Sequence, residues 1–234
     1  MAQLTWDAVE DRKYEMGVDH GVLYPYNAGT SAYDNGVAWN GLTNVTESPE
    51  GAEPSNMYAD NIKYGTLRSA ETFGCTIECY TYPKEWEACD GSATLIDGVT
   101  IGQQNRKMFG FSYRTKVGSA ANPDLGYKIH LVYGATASPS EKAYPTVNDS
   151  PEAVTFSYEV DTTAVSVQGF QPTASLVIDS TVATEDQMTA IEAILYGSNT
   201  GGSGGTAPRL PLPDEVKKII STAAASLEAA ASLE

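Results

Sequence analysis

The sequence that decides the fold is AVTFSYEVDTT, residues 153–163. Alternate positions of this run are apolar, and on an extended chain they share one face: Val154, Phe156, Tyr158 and Val160. The residues between them, from Thr155 to Glu159, are polar. Side chains of a β-strand point alternately to opposite faces, so the pattern predicts a half-buried strand whose apolar face belongs to the core.

Similar runs recur between residues 62 and 179, separated by segments rich in Gly, Pro, Asn and Asp, which favour turns. In one run Phe109, Phe111 and Tyr113 alternate with small or polar residues. The predicted strands are 62–68, 72–81, 108–116, 126–134, 153–160 and 174–179. Six or more short strands joined by turns predict an antiparallel sandwich or barrel.

The first 60 residues are less regular. Residues 1–21 are polar and acidic, and they predict an arm or a first strand. Residues 21–26 predict a short strand that ends at Pro25, because proline is tolerated at strand ends. Turn signals and isolated aromatic residues alternate through 27–60, an excursion of the kind that is usually functional or disordered. An edge hairpin that pairs with a neighbouring subunit also fits this segment.

One internal helix is predicted between Thr184 and Gly197. Thr184 is a favourable N-cap, acids follow it in the first turn, and Gly197 suits the C-terminal cap. Its apolar stripe, expected to pack on the sheet, is Met188, Ile191, Ile194 and Leu195. The predicted fold is mainly β (α+β): an antiparallel β-sandwich or barrel flanked by one α-helix, with a long loop or hairpin and terminal extensions.

Residues 1–197 are interpreted as one domain, followed by an extension at 198–220. Residues 199–206 have the composition of a flexible linker, and a short helix is predicted to start near Pro213. Residues 221–234 repeat the sequence AAASLE. We interpret them as an added or disordered tail and exclude them from the fold.

The formal net charge of the 234 residues is −16, with 30 acids and 14 bases. The first 60 residues hold ten of the acids and only two bases, Arg12 and Lys13. Such a surface repels nucleic-acid phosphates, which argues against ordinary DNA or RNA binding. Two interpretations remain: self-repulsion that keeps the protein soluble, or a negative wall past which a polyanion slides without adhering.

Three cysteines, Cys75, Cys79 and Cys89, make an odd count, and no secretory leader is recognised. We therefore expect buried thiols in a protein made in a reducing cytoplasm, not a disulfide framework. No metal or other cofactor is expected, because His20 and His130 have no ligand-like spacing to other residues. No apolar run approaches the roughly 20 residues of a membrane span, so no membrane insertion is expected.

Motifs for catalysis are weak. The glycine-rich run 201–205 lacks the Lys-Ser or Lys-Thr of a phosphate loop. Glu47, Glu50 and Glu53 are expected to be solvated, and His130 alternates with apolar strand residues and is expected to point outward. The sequence therefore predicts that the protein is not an enzyme. Its tryptophans and 14 tyrosines leave open a carbohydrate-binding sandwich.

Three runs and the predicted helix together resemble a known family. The runs are RKMFGFSYRT (106–115), GYKIHLVYGA (126–135) and SPEAVTFSYEV (150–160), and the helix ends in LYG (195–197). They are similar to the major tail proteins of long-tailed, siphovirus-like bacteriophages. The resemblance covers about residues 60–200.

The resemblance implies a tail-tube subunit, a β-sandwich or barrel with a flanking helix that forms hexameric rings stacked into a tube. It implies contacts with copies of itself, with a tape-measure protein and with tail terminator and tip proteins, and DNA passing through an acidic lumen. It implies assembly in the bacterial cytoplasm and a place in the virion tail. The candidate inter-ring or lumen loop is 27–60, with Tyr33, Asp34, Trp39, Glu47, Glu50, Glu53, Met57 and Tyr58.

The terminal arms, 1–21 and 198–220, are further candidate contacts. Deleting residues 33–58 is expected to leave a folded monomer that cannot polymerise. The alternatives are the carbohydrate-binding module and another virion structural protein, such as a connector or capsid-associated component.

Overall fold

The computed structural model describes residues 6, 8–9, 12–51, 53–147, 149, 153–199 and 205–231. The helices are α1 (Glu87–Asp90), α2 (Glu185–Leu195) and α3 (Pro213–Ala231). The strands are β1 (Lys13–Asn27), β2 (Ala32–Tyr33), β3 (Val37–Trp39), β4 (Leu42–Glu47), β5 (Glu50–Gly51), β6 (Pro54–Ala59), β7 (Ile62–Arg68), β8 (Glu71–Thr72), β9 (Gly74–Cys79), β10 (Ala93–Ile96), β11 (Val99–Ile101), β12 (Phe109–Ser119), β13 (Gly126–Ala137), β14 (Phe156–Thr162) and β15 (Ser175–Asp179). The protein is mainly β, as predicted.

Nine strands form one antiparallel sheet in the order β2-β1-β12-β13-β14-β9-β4, with β15 paired to β13 and β3 paired to β1. The long strand β13 pairs with β15 through residues 128–132 and with β14 through residues 135–137. Gly134 lies between these two stretches with φ +57°, at a bulge opposite β12. A Cβ there would lie 2.2 Å from the Thr163 carbonyl oxygen, so the position requires glycine.

The sheet curls upon itself because the chain changes partner between β3 and β4. β3 pairs with β1, and after only Asn40 and Gly41 the chain pairs with β9 as β4. Gly41 makes this step with φ +78°. The enclosed space is filled by the first core cluster: Leu23, Trp39, Cys75, Ile77, Cys79, Trp86, Cys89, Phe109, Phe111, Tyr113, Val132, Ala135, Ala137, Tyr158 and Val160.

A second core cluster lies on the opposite face of β1, β12 and β13, under α2 and α3. Because strands alternate, β13 contributes Ile129, Leu131 and Tyr133 to this cluster while Val132 belongs to the first. Tyr24 of β1 is fully buried there, and its hydroxyl donates to the Leu195 carbonyl at 2.8 Å. The central strands are therefore covered on both faces.

Helix α2 begins and ends as predicted. Thr184 caps it, and a reciprocal bond with Gln187 completes a capping box. Gly197 follows the helix with φ +81°. Of the predicted stripe, Met188, Ile191 and Leu195 are buried and Ile194 is partly buried.

The prediction of a single flanking helix is wrong. Helix α3 starts at Pro213, as expected for the extension, but it continues to Ala231 and packs beside α2. Leu210 and Val216 are buried in the second core cluster, so the later part of the 198–220 extension belongs to the folded body. Residues 200–204 of the predicted linker, and 232–234 of the tail, lie outside the described residues.

The strand predicted at residues 21–26 is part of β1, but its predicted short length is wrong, since β1 runs for 15 residues and pairs with β12 up to Pro25. The missing proline N–H does not end the ladder, because the next N–H, of Tyr26, donates to the Met108 carbonyl at 2.9 Å. The N-terminal arm prediction falls partly on residues outside the described part, 1–5, 7, 10 and 11.

In the run that predicts the fold, Tyr158 and Val160 are buried and Phe156 is partly buried. Val154 lies before β14, which begins where Phe156 pairs with Cys79 of β9. The prediction that Val154 is a core strand residue is therefore wrong, because the pairing partner does not extend to it.

Candidate assembly interface

The first half of the predicted 27–60 loop belongs to the body. Trp39 is 2% exposed, its ring lies 4.6 Å from that of Trp86, and its Nε1 donates to the Thr81 carbonyl at 3.0 Å. The Tyr33 hydroxyl accepts from the Gly134 N–H at 2.9 Å. Asp34 accepts from the Asn27 amide at 3.2 Å. The loop prediction is wrong for Tyr33 and Trp39, which lie in strands too short for periodicity to reveal, whereas Asp34 is exposed between β2 and β3.

The second half projects from the body, together with the strand that follows. We define residues 49–72 as the projecting extension. It holds the short β5–β8 ladder and the β6–β7 hairpin. The predicted loop residues Glu50, Glu53, Met57 and Tyr58 all lie here and are exposed. The predicted strand 62–68 is the return strand β7 of this hairpin and not a strand of the main sheet.

The β6–β7 hairpin turns at Asp60 and Asn61, with φ +50° and +62°, values typical of a tight two-residue hairpin turn. The cross-strand pairs Ser55–Leu67, Met57–Gly65 and Ala59–Ile62 share one face. The other face carries the pairs Pro54–Arg68, Asn56–Thr66 and Tyr58–Lys63. The hairpin therefore has one largely apolar face and one more polar face.

The apolar face of this hairpin has no cover within the described part of the chain. The exposed fractions are 40% for Met57, 65% for Ile62 and 57% for Leu67. A hairpin with only two strands is marginal in water unless its apolar face packs against something. Contiguous exposed apolar side chains on such an element are typical of an interaction surface.

A second hairpin, β10–β11, is not among the predicted elements. Its exposed apolar residues are Leu95, Ile96, Val99 and Ile101. The turn residues are Asp97 and Gly98, with Gly98 at φ +84°. Asp-Gly between apolar residues is a strong hairpin signal, so the sequence contained the information needed to predict it.

The outer face of strands β4, β9 and β14 is acidic. Pairing and alternation put Glu78, Glu159 and Asp161 on this face, opposite the buried residues of the same strands. None of the three strands contains a lysine or an arginine. We call this surface the acidic sheet face. Polyanions are repelled by such a surface.

Glu47 does not lie on the acidic sheet face but reaches into the open end of the curled sheet. It accepts a hydrogen bond of 2.6 Å from the Tyr113 hydroxyl, and its Oε1 lies 3.3 Å from His130 Nδ1. The His130 ring stacks on Tyr113 with centroids 4.6 Å apart and is 13% exposed. Glu47 lies in strand β4, so its predicted place in a loop is wrong, but its side chain is 43% exposed, in agreement with the predicted solvation. The prediction that His130 points outward is wrong, because its side chain is only 13% exposed.

The three cysteines are buried free thiols, as predicted. Burial raises the pKa of Cys75 and of Cys89 to about 12, so neither is a thiolate at neutral pH. Among the described residues no group of three or more His, Cys, Asp or Glu side chains is placed to hold a metal ion.

A cavity of about 630 Å³ lies beside the bulged part of β1, with Asp19, His20, Tyr196 and Trp39 in its wall. Its size suits a small ligand. Trp39 and Trp86 are too deeply buried to present a ring face for stacking on a sugar, whereas tyrosines such as Tyr58 and Tyr64 are exposed.

The fold and these surfaces define a mainly β, antiparallel protein with two uncovered hairpins. Comparison with known proteins found no family model and no curated protein that matches the chain. In the described part of the chain, none of the helices combines the length and hydropathy needed to cross a membrane.

Proposed function

We propose that the chain is a structural subunit of a phage tail tube, which assembles with copies of itself into stacked rings, of six subunits each, around a channel for DNA. The observation that carries the proposal is the β6–β7 hairpin, whose apolar face is exposed in the single chain. The resemblance of residues 106–115, 126–135 and 150–160 to major tail proteins supports the same conclusion. On this proposal the protein is not an enzyme and has its place in the virion.

Charge supports a second copy as the partner of the hairpin. Residues 54–68 contain one acid, Asp60, and two bases, Lys63 and Arg68, so their net charge is +1. The whole chain carries −16, which leaves −17 on the other residues. A basic hairpin is attracted to the acidic body of another copy, and such complementarity favours one orientation of docking.

The contact is expected to be head to tail, because the hairpin of one copy meets a different surface of the next. Contacts of this type close into rings or extend into filaments, depending on the rotation between copies. A tube of stacked rings needs two such contacts, one within a ring and one between rings. The two uncovered hairpins supply one apolar element for each of these two contacts.

The acidic sheet face is our candidate for the lumen wall. A channel for DNA must not bind phosphates, and this face offers Glu78, Glu159 and Asp161 with no cation on its strands. We therefore propose that the sheet, and not the predicted 27–60 loop, lines the lumen. Tape-measure, terminator and tip proteins are the further partners that the proposal entails.

A deletion that tests the proposal must leave the core and the strands of the main sheet intact. Removing residues 33–58, as the sequence suggested, would take away the buried Trp39 and strand β4. Gly51 and Glu71 are paired, so residues 52–70 can instead be replaced by Asn-Gly as a two-residue turn.

Negative-stain electron microscopy across a concentration series then compares the full chain with this deletion variant. The proposal predicts rings or hollow tubes for the full chain and folded monomers for the variant. Tubes of normal length from the variant would contradict it. A full chain that stays monomeric at every concentration and binds glycans on an array would favour the carbohydrate-binding alternative.

A further inference from the structure

A cavity of about 730 Å³ lies between strand β15 and helix α3. Every residue of β15, from Ser175 to Asp179, lines this cavity. A cavity over one face of a strand would touch only alternate residues, because side chains alternate between the two faces. The cavity therefore runs along the outer edge of β15, the edge that faces away from β13. We call it the edge groove.

The middle of this strand edge has unpaired backbone groups. At one end of β15 the Tyr133 N–H donates to the Ala174 carbonyl, and at the other end the Ser180 N–H donates to the Tyr127 carbonyl. The even-numbered residues of β15 therefore bond to β13, and the N–H and C=O of Val177 point to the groove. Within the described part of the chain, β15 pairs with no strand other than β13.

The two ends of the same edge are closed by local hydrogen bonds. The Ser175 carbonyl accepts from the Thr173 hydroxyl at 2.7 Å, and the Asp179 carbonyl accepts from the Ala183 N–H at 2.9 Å. The centre has none of the side chains that usually protect an edge, since the sequence of β15, SLVID, contains neither lysine nor proline. Val177 is 51% exposed. The centre of β15 is therefore open to pairing with another strand.

Apolar side chains form the other walls of the edge groove. Val216 and Ile220 of α3 line it, together with Phe170 and Val182 from the loops on either side of β15. Phe170 is 72% exposed and Val182 is 83% exposed. A strand edge with an apolar wall beside it suits an extended segment, whose backbone pairs with the edge while its side chains pack on the wall.

The charge around the edge groove is negative. Its lining residues belong to three segments, 167–173, 175–187 and 213–220, which together contain five acids and two bases, a net charge of −3. One of the acids, Glu215, is paired with Arg209, which leaves −2. The β6–β7 hairpin carries +1, whereas the β10–β11 hairpin (93–101) contains Asp97 as its only charged residue. Charge complementarity therefore favours the β6–β7 hairpin as the occupant.

Strand β7 is the strand of this hairpin that is better suited to pairing. It has seven residues, against five in β15, and it contains no proline. Strand β6 begins with Pro54, which has no N–H to donate. Ile62 and Leu67 lie near opposite ends of β7 and belong to the apolar face of the hairpin.

We propose that the edge groove receives the β6–β7 hairpin of a second copy of the chain, with β7 added to the open edge of β15 and the apolar face of the hairpin packed against α3. The choice of a second copy as the partner rests on the proposed function. The groove is a property of the single chain, so the two can fail separately.

The variant Val177→Pro closes the edge without touching the pairing of β15 with β13. Proline removes the outward N–H and puts its ring in the groove, a position that edge strands tolerate. Sedimentation of assembled material should show a critical concentration higher by about tenfold or more. Val177→Thr keeps both backbone groups and should assemble at concentrations close to those of the wild type. An unchanged critical concentration for a folded Val177→Pro subunit would overturn the proposal.

Phe170→Ser provides a second variant in case Val177→Pro does not fold. It removes an exposed aromatic side chain from the groove wall and should raise the critical concentration several-fold. The matched control is Tyr144→Ser, because Tyr144 is also 72% exposed and does not line the groove. Equal critical concentrations for the two variants would overturn the proposed packing.

Cross-linking between two different chains tests the contact directly. The donor chain carries Val177→Pro, which blocks its own groove, and either Ile62→Cys or Leu67→Cys. The acceptor chain has residues 52–70 replaced by Asn-Gly, so that it lacks the hairpin, and carries Val182→Cys. The three natural cysteines are buried. Mild oxidation of the mixture should give a heterodimer band on a non-reducing gel with one of the two donors, whichever way β7 runs along β15.

The cross-linking result separates this proposal from the proposed function. Rings or tubes from the full chain, with no heterodimer from either donor, would overturn the groove and leave the tube subunit standing. A heterodimer from a full chain that forms neither rings nor tubes would refute the proposed function and leave the groove standing. A heterodimer obtained only when the donor cysteine is Ile96→Cys, in the β10–β11 hairpin, would overturn the assigned occupant.

Discussion

Replacing the apolar face of the β6–β7 hairpin should weaken assembly without unfolding the subunit. The double variant Ile62→Ser with Leu67→Ser removes two side chains that are 65% and 57% exposed. Full burial of such a side chain is favourable by about 1.5–3 kcal/mol, so covering the exposed parts of both contributes about 2 kcal/mol to each contact. That free energy corresponds to a roughly 30-fold higher critical concentration.

Sedimentation of assembled material across a concentration series measures this critical concentration, and urea unfolding measures the stability of the subunit. Because both side chains are exposed in the single chain, the free energy of unfolding should change by no more than about 0.5 kcal/mol. The matched control, Asn56→Ser with Thr66→Ser, alters the opposite face of the same hairpin. Equal critical concentrations for the apolar-face variant and the wild type would refute the reasoning.

Three further predictions concern the lumen, the sheet and the C-terminal helix. The triple variant Glu78→Lys, Glu159→Lys and Asp161→Lys should make assembled tubes retain short DNA, seen as density inside the tube by cryo-electron microscopy. The control variant Asp124→Lys, which changes an exposed turn, should not retain DNA. Density for DNA on the outer wall of the tube would contradict the lumen assignment. Gly134→Ala should lower the free energy of unfolding, measured by urea titration, by at least about 2 kcal/mol, because residue 134 has a positive φ and a Cβ there would clash with Thr163. The control Gly102→Ala, at a position with open space around it, should have little effect in the same titration. The hydrogen bond from Arg209 lowers the pKa of Glu215, so the stability difference between wild type and Glu215→Gln should be present above about pH 4.5 and vanish as the pH falls further. Both side chains are about 40% exposed, which limits this difference in the free energy of unfolding to about 1 kcal/mol. A difference that grows in acid would contradict the assignment.

The sequence predicted the elements whose periodicity is unbroken. Strand β12 was found because Phe109, Phe111 and Tyr113 keep strict alternation, and α2 was found because its caps and apolar stripe agree. Strand β1 was predicted as a regular strand only at residues 21–26, because two bulges, one on either side of Asp19, each insert a residue and shift the apolar face. The sequence of β1 therefore shows no single alternation from end to end.

The candidate site was predicted only in part. The exposed hairpin residues Met57 and Tyr58 lay in the predicted excursion, whereas Trp39 belongs to the core, because a strand of three residues gives no periodic signal. The contact between Glu47 and His130 joins residues far apart in sequence across a curled sheet. Local patterns carry no information on such a contact, which follows from the closure of the sheet.

A cryo-electron microscopy reconstruction of the assembled full chain tests the central claim most directly. The account predicts a tube of stacked rings in which Met57, Ile62 and Leu67 are covered by a neighbouring copy and the acidic sheet face lines the channel. A protein that forms no rings or tubes, or tubes in which the hairpin lies free in solvent, would contradict it.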